Sequence, residues 1–263
     1  MKMMNKDSRN HILKALKKDI RYDGRSLKQY RDLEIQRGVA KTAEGSARVK
    51  LGDTEVMAGI KMQVEEPFPD TPNEGKLMVG AELIPLSNSE YELGPPGIDS
   101  IELSRVVDRG IRESKCVDTS KLVIESGSKV WSIWCDIIPI NSAGNLFDAA
   151  FLATLAALQD AHFPAYDTET GVVDYKNKTD TKLPMEHVPI AVTVLKIGDQ
   201  MLVDPLPPEE EALDARLTVT VTGDNKLCAM QKGGISSVSA EDIDKMASLA
   251  LEKSEELKQH LMG

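Results

Sequence analysis

Three arginines recur at helical spacing near the middle of this 263-residue chain. At 3.6 residues per turn, Arg105, Arg109 and Arg112 fall along one side of a helix, and we call them the arginine row. The opposite side is apolar or small and is expected to be buried: Leu103, Val106, Val107, Gly110 and Ile111. Guanidinium groups on one stripe repel each other unless anions face them. The row therefore predicts either contact with phosphates or a solvated face in which Glu102 and Asp108 bridge the arginines.

The start of this helix is marked by turn residues and an acidic pair. Pro95, Pro96 and Gly97 precede Asp99, and Glu102 follows three residues later. A capping residue with a carboxylate three positions on can bond the free backbone amides of the first turn. The sequence predicts a helix over residues 99–114 that begins with a capping box.

The charge of the whole chain limits how it can meet nucleic acid. Lysines and arginines number 32 against 42 aspartates and glutamates, which gives a formal net charge of -10. Neutralisation of phosphates supplies most non-specific affinity for nucleic acids, so such a chain is a poor stand-alone binder. Any contact with RNA must be local, or must be shared with a more basic partner.

The cysteines and the hydropathy of the chain indicate where in the cell it is expected. Cys116, Cys135 and Cys228 are odd in number and lack the spacing of a metal site, which is typical of reduced thiols inside the cell. No run of about 18 apolar residues is present, so no membrane contact is predicted. Residues 5–20 mix lysines with apolar residues at helical spacing and predict an amphipathic helix rather than a signal peptide. A cytoplasmic protein without a metal ion or a cofactor is the expectation.

Strand patterns dominate the rest of the first half. Strands are predicted at 33–42, 46–64, 76–85, 121–125 and 129–138, where residues alternate or favour β structure. The stretch 46–64 is predicted to be a hairpin with its turn at 52–54. Residues 145–162 are apolar over most of a helix circumference. Such a helix is typical of a protein interior or of a subunit interface.

The second half repeats this organisation. Residues 165–186 are polar and predict a linker with at most one short hairpin. Hairpin patterns then recur around 199–200 and 223–225, and a closing helix is predicted over residues 239–261. Paired strands followed by a covering helix, twice in one chain, predict an α+β protein with mixed or antiparallel sheets.

Four motifs in a fixed order resemble one known family. They are Asp-Gly-Arg at 23–25, Glu-Gly-Ser-Ala at 44–47, Glu-Leu-Ser-Arg at 102–105 continuing to Arg109, and Asn-Leu-Phe-Asp-Ala at 145–149. The order resembles the RNase PH superfamily over about residues 20–255, and most closely the non-catalytic RNase PH-like subunit of the archaeal exosome. This implies an RNase PH-like (ribosomal protein S5 domain 2-like) fold with two βαβα-type halves packed together.

The expected domain organisation has four segments. An N-terminal helix and arm (1–30) precede an RNase PH-like first half (31–165), and a linker (166–186) leads to an RNase PH-like second half (187–263).

Catalytic members of the family cradle inorganic phosphate. Such a site needs backbone amides at a helix start with an arginine beside them. By resemblance, catalytic relatives carry Gly-Gly-Ser/Thr-Arg before the second helix, where this chain has Ala143, Gly144, Asn145 and Leu146. Leucine cannot bind phosphate, so the resemblance implies a dismantled cradle, although the helix start at Gly144 could still hold an anion.

The family's catalytic acids lie at a strand end in the second half. Asp204 occupies the place of the first acid, and Pro205, Pro207 and Pro208 alter the loop that would aim it. An acid without its phosphate site does no phosphorolysis. Asp204 is therefore interpreted as a turn or capping residue, and no catalytic residue is predicted.

Two further pairs of residues receive structural interpretations. Arg25 and Arg48 could support subunit packing or RNA contact, but structural surface positions are favoured. Trp131 and Trp134 lie on opposite faces of one predicted strand, and packing in the core or at an interface is favoured over base stacking.

The leading hypothesis is a non-catalytic subunit of the hexameric exosome ring. It binds single-stranded RNA through Arg105, Arg109 and Arg112 and structures the active site of a catalytic RNase PH-like partner for 3′ to 5′ phosphorolytic RNA degradation. By resemblance, the two subunits form heterodimers, three heterodimers form the ring, and RNA-binding cap subunits join it. A ring subunit should also expose apolar edges when it is isolated.

Two alternatives stay open. The chain could itself be an active phosphorolytic 3′ to 5′ exoribonuclease that uses Asp204, or it could be a purely architectural ring subunit without RNA contact.

Overall fold

The computed structural model describes residues 4–262. Its first half holds α1 (Lys6–Leu16), β1 (Leu33–Arg37), β2 (Gly45–Leu51), β3 (Thr54–Glu65), β4 (Lys76–Ala81), α2 (Ile98–Glu113), β5 (Val123–Glu125), β6 (Lys129–Asn141) and α3 (Leu146–Asp160). After a hairpin of β7 (His162–Asp167) and β8 (Val172–Lys182), the second half holds β9 (Ile190–Ile197), β10 (Gln200–Val203), α4 (Pro207–Ala212), β11 (Ala215–Val221), β12 (Leu227–Gly233) and α5 (Ala240–Met262). This mixture of antiparallel sheets and covering helices confirms the predicted α+β class.

Two sheets enclose the helix α3. The larger sheet has the order β1-β2-β3-β6-β4, with β5 also paired to β6, and the smaller has the order β10-β9-β11-β12. Of the strand pairs in the described chain, β4 with β6 is parallel and the others are antiparallel. α3 packs on β2 and β3 and also on β9, and its residues 148–158 have no exposed surface. Burial on every side explains why this helix is apolar around its circumference.

The two halves share an order of elements along the chain but not an order of strands. In the first half the second strands of the two hairpins, β3 and β6, lie side by side, whereas in the second half the first strands, β9 and β11, do so. The repeat predicted from the hairpin patterns is therefore a repeat along the chain and not within the sheets.

The polar segment between the halves is largely folded. β7 and β8 form a separate two-stranded sheet, and the second strand runs for 11 mostly exposed residues. The Trp131 ring lies 5.5 Å from that of Phe163 and 5.8 Å from that of Tyr166, measured between centroids. Trp131 is buried, as predicted, and Trp134 on the opposite face of β6 is 37% exposed.

The amphipathic helix near the N-terminus packs on the body of the protein. Ile12 and Leu16 of α1 lie in a small apolar cluster with Leu195, Ile197 and Leu202. The helix is shorter than predicted because the chain turns at Asp19, whose φ is +56°.

The predicted capping box of α2 was wrong. The N-cap residue is Gly97, which has no side chain to donate or accept a bond. Glu102 forms a salt bridge with Arg216 of β11 instead. A cation from the second half therefore attracts the carboxylate that the local pattern assigned to the helix start.

Candidate functional site

The arginine row lies on the exposed side of α2, as predicted. Leu103, Val107 and Ile111 on the opposite side are buried, and the helix packs on β4, α3 and β12. The salt bridge between Glu102 and Arg216 also connects α2 to β11. Contacts with both halves of the molecule thus fix the helix that carries the row.

The three arginines differ in what they contact. Within residues 4–262, the Arg105 side chain forms no hydrogen bond and no salt bridge. Arg109 donates to the Gln231 side-chain oxygen at 3.3 Å. Arg112 pairs with Asp108 at 2.7 Å and donates to the Leu77 carbonyl at 2.8 Å. Carboxylate bridging therefore applies to Arg112, while Arg105 and Arg109 keep their charge open to solvent.

The turn at residues 143–146, for which the sequence predicted a dismantled phosphate cradle, is closed by internal bonds. The carbonyl oxygens of Ala143 and Gly144 accept bonds from the Arg31 guanidinium at 2.8 and 3.1 Å. Gly144 has a φ of +89°, and a Cβ there would lie 2.3 Å from the Pro205 carbonyl oxygen. The turn presses against the following loop, so no space for an anion remains on that side.

A carboxylate accepts a hydrogen bond from the backbone amide at the start of α3. The Asn145 amide donates to Glu210 Oε1 at 2.9 Å. Leu146, which follows, brings no charge to this helix start. The amide that could have held an anion is thus bonded to the chain's own side chain.

Asp204 lies at the centre of a buried ion-pair network. Its carboxylate has no exposed surface and pairs with Arg25 at 2.6 Å and with Arg31 at 2.7 Å. The Arg31 amide and the Asn145 side-chain amide also donate to it, at 2.8 and 3.1 Å. Both oxygens are bonded within the protein, which leaves no edge for a substrate oxygen.

A second buried pair lies beside the first. Arg21 donates to the Glu209 carboxylate through two nitrogens, at 2.8 and 2.6 Å, and both side chains are at most 1% exposed. Arg21 also donates to the carbonyl oxygens of Val203 and Asp204. The arm at residues 21–31 is thus fixed to the second half by the groups that surround Asp204.

Two acids near this network have raised pKa values. Burial raises the pKa of Asp148 to about 6, against hydrogen bonds from Tyr30 and Asn145 that favour the ionised form. Burial also raises the pKa of Glu210 to about 7, against the bond from the Asn145 amide. Both carboxyl groups therefore titrate between about pH 6 and pH 7 in the folded protein.

Sequence reasoning located Asp204 and Leu146 but missed the cations that surround them. Arg21 and Arg31 are separated from their acidic partners by more than 170 residues. The one available signal was the acidic run that follows Asp204, which needs cations if it is buried. A structural surface position was favoured for two other arginines. Arg48 agrees, since it pairs with Glu55 at 2.7 Å on the surface. Arg25 is structural, but the surface position was wrong, because its side chain lies in this network and is 10% exposed.

Neither a metal site nor a membrane span is found in the described part of the chain. Between residues 4 and 262, no cluster of three or more His, Cys, Asp or Glu side chains is placed to hold a metal ion. No helix in the same range combines the length and the apolar character needed to cross a bilayer.

Comparison with known proteins gives a consistent result. The family model described as "3' exoribonuclease family, domain 1" matches residues 29–164, and domain 2 of the same family matches residues 187–253. The exosome complex component Rrp42 of Methanothermobacter thermautotrophicus is 45% identical over 254 residues, which cover 97% of this chain and 94% of the relative.

Solved structures are similar over nearly the same length. A chain of the Archaeoglobus fulgidus exosome with RNA bound to the active site superposes with a TM-score of 0.89 and 43% identity, covering 96% of this chain and 97% of that one. A chain of an archaeal exosome core superposes with a TM-score of 0.85 and 41% identity, covering 98% and 97%.

Proposed function

The chain belongs to the 3′ exoribonuclease family with RNase PH domains, and from this membership we propose that it is a non-catalytic, RNA-binding subunit of an exosome ring. One observation carries the proposal. The ion pairs of this chain fill the space around Asp204, where the resemblance places the family's catalytic centre, while Arg105 and Arg109 are exposed and unpaired with carboxylates in the described chain.

Electrostatics argues against phosphorolysis by this chain alone. Inorganic phosphate needs amide and arginine donors, but here the Asn145 amide is bonded to Glu210 and Arg31 to Asp204. Arg21 and Arg25 are likewise paired with Glu209 and Asp204, so these arginines already face carboxylates of this chain and are not free to hold a phosphate dianion. The chain therefore lacks both the cradle and a free acid.

The arginine row supplies the local positive charge that RNA contact needs. The net charge of -10 disfavours RNA elsewhere, so we assign the contact to Arg105 and Arg109, with Arg112 at the far end of the row. Arg112 contributes less, because Asp108 and the Leu77 carbonyl already engage it. By this assignment, α2 reaches across a subunit boundary and completes the RNA path at the partner's active site.

The similar proteins support a proposal for the complex in which this chain acts. The relatives are exosome components and a similar structure holds RNA at an active site. We therefore assign this chain a catalytic RNase PH-like partner, heterodimers that form a trimer of dimers, RNA-binding cap subunits and a cytoplasmic location. The four segments predicted from the sequence, divided at residues 30, 165 and 186, are kept as the proposed domain organisation.

One observation favours an architectural role without RNA contact, namely the net charge of -10.

Charge reversal within the assembled ring distinguishes the RNA-binding role from the architectural role. Arg105→Glu with Arg109→Glu should weaken binding of single-stranded RNA by about 100-fold, since two phosphate contacts become two repulsions. The slope of log affinity against log salt should flatten by about 0.7 for each lost contact.

A matched control makes this test specific. Lys17→Glu with Lys18→Glu reverses the same number of exposed charges on the segment that follows α1. It should leave affinity within about twofold, because non-contacting charges act only through a screened field. Unchanged RNA affinity in the Arg105 and Arg109 variant, in a ring that assembles normally, would leave the architectural role.

A further inference from the structure

The exposed face of α2 changes character along its length. Ile98 and Ile101 lie on the same stripe as Arg105 and Arg109, at steps of three and four residues. Ile98 is 84% exposed and Ile101 is 47% exposed. The first turn and a half of this face is therefore apolar, and the arginine row begins only after it.

The loop that leads into α2 adds more exposed apolar surface. Leu86 is 74% exposed and Leu93 is 82% exposed, and every residue over 92–99 is exposed. Leu93 and Ile98 line one groove, and exposed apolar side chains grouped in this way mark interaction sites. We call the surface formed by Leu86, Leu93, Ile98 and Ile101 the docking face.

A groove of about 550 Å³ runs between this loop and the first turn of α2. Four carboxylates line it, those of Glu82, Glu90, Glu92 and Asp99, and no lysine, arginine or histidine does. Within residues 4–262 none of the four takes part in a salt bridge. The groove thus presents uncompensated negative charge beside exposed apolar side chains.

Hydrogen bonds hold both ends of the loop. The Ser142 amide donates to the Ser87 carbonyl at 3.0 Å, and the hydroxyls of Tyr91 and Ser142 are 3.3 Å apart. At the helix end, the Ser100 hydroxyl donates to the Ala81 carbonyl. A loop bonded at both ends needs less ordering on binding, which favours a specific protein contact.

We propose that the docking face and its acidic groove bind a segment of the catalytic partner subunit that combines apolar side chains with lysine or arginine. Charge complementarity selects this occupant. RNA would be repelled by the four carboxylates, and a second copy of this chain would bring its own net charge of -10 to the same surface. The inference rests on the proposed function, because it assumes the ring partner, and it adds the surface that this partner contacts.

The docking face gives α2 two functions at its two ends. The apolar end is held by the partner protein, and the basic end projects along the partner toward its RNA. A rigid helix of 16 residues fixes the distance between the two contacts. Docking therefore positions Arg105 and Arg109 as well as stabilising the ring.

The apolar part of the proposal is tested by Leu93→Ser with Ile98→Ser, titrated against immobilised catalytic partner. Affinity should fall by about 30-fold, the size of effect seen for central interface anchors. Val172→Ser with Ile235→Ser removes two side chains that are 60% and 90% exposed elsewhere, and should leave the affinity within about twofold. Equal affinities for the docking-face variant and the wild-type chain would overturn the proposal.

The electrostatic part is tested separately by Glu90→Lys with Glu92→Lys. Both side chains are exposed, so folding should be unchanged by circular dichroism and thermal unfolding. Association should slow by about tenfold at low salt, and its salt dependence should weaken or reverse. Salt-independent association identical to that of the wild-type chain would contradict a basic occupant, and crosslinking of RNA to this loop would contradict a protein occupant.

Failure of this inference and failure of the proposed function give different results. If the docking-face variants assemble normally while Arg105→Glu with Arg109→Glu loses RNA binding, the docking inference fails and the proposed function stands. If the docking-face variants fail to assemble while the arginine variant binds RNA normally in the ring, the RNA assignment fails and the docking inference stands.

Discussion

Asp204 is bonded by two guanidinium groups and two amide groups, and it has no exposed surface. Its φ of +47° is unusual for a residue with a side chain, and the surrounding bonds hold it there. The carboxylate at this position therefore joins the arm at residues 21–31 to the second half. A structural role of this kind is stronger than the turn or cap expected from the sequence.

Asp204→Asn should destabilise the protein, because it leaves the partly buried Arg31 guanidinium group without an anion and leaves Arg25 with Asp23 alone. We expect the free energy of unfolding in urea to fall by about 3 kcal/mol, as when one partner of a buried pair is removed. Asp224→Asn breaks an exposed pair with Lys226 and should leave the free energy of unfolding close to the wild-type value, because solvent screens this pair. A loss for Asp204→Asn no larger than this control would contradict the network.

Asp148 predicts a pH dependence of stability. Its pKa is about 6 in the folded protein against an ordinary value of 3.8, so between these values the folded state binds more protons than the unfolded state. Its contribution to stability therefore falls as pH rises from about 4 to about 6 and is constant above that window. The total change is about 3 kcal/mol.

Asp148→Asn removes this titration while keeping the shape of the side chain. Urea unfolding at several pH values should show the variant gaining stability relative to the wild-type chain as pH rises through the window. A constant difference between the two proteins from pH 4 to pH 7 would show that Asp148 does not titrate there.

Among the elements, α2 is placed by close packing at a glycine. A Cβ on Gly110 would lie 2.4 Å from the Phe151 ring and 2.8 Å from the Thr220 hydroxyl. α2 therefore approaches α3 and β11 as closely as the backbone allows, and this approach sets the position of the arginine row.

Gly110→Ala should push α2 away from the body. The extra methyl group should lower the free energy of unfolding by about 2 kcal/mol, in the range found for overpacked cores. It should also weaken RNA binding by the assembled ring. Gly59→Ala on β3 provides the control, because a Cβ there meets no atom within 4 Å. Wild-type stability of Gly110→Ala would contradict the close packing.

Local patterns were sufficient for α2 and α3 and insufficient for α4. The apolar back of α2 and the all-round apolar character of α3 are visible at helical spacing. Pro207 and Pro208 were interpreted as a disrupted loop, although proline is well suited to the first turn of a helix, and here they begin α4. The capping box of α2 was predicted wrongly, because Arg216, which is distant in sequence, pairs with Glu102, the carboxylate expected to bond the helix start.

For the whole molecule, composition and motif order predicted the α+β class and the family, but the strand order required the structure. The chain order of hairpins is the same in both halves, yet different strands lie side by side, because pairing depends on contacts between residues far apart in sequence. The buried network has the same origin, since Arg21 and Glu209 are 188 residues apart.

The central claim is that this chain builds a shared site without performing the chemistry. Release of nucleoside diphosphates from single-stranded RNA, followed at several phosphate concentrations, should be measured for this chain alone, for the catalytic partner alone and for the mixed ring. We predict full phosphate-dependent activity only in the mixture, and a reduction of about 100-fold when Arg105→Glu and Arg109→Glu are introduced together. Phosphate-dependent release by this chain alone would contradict the account, because the closed centre around Asp204 would then be a working active site.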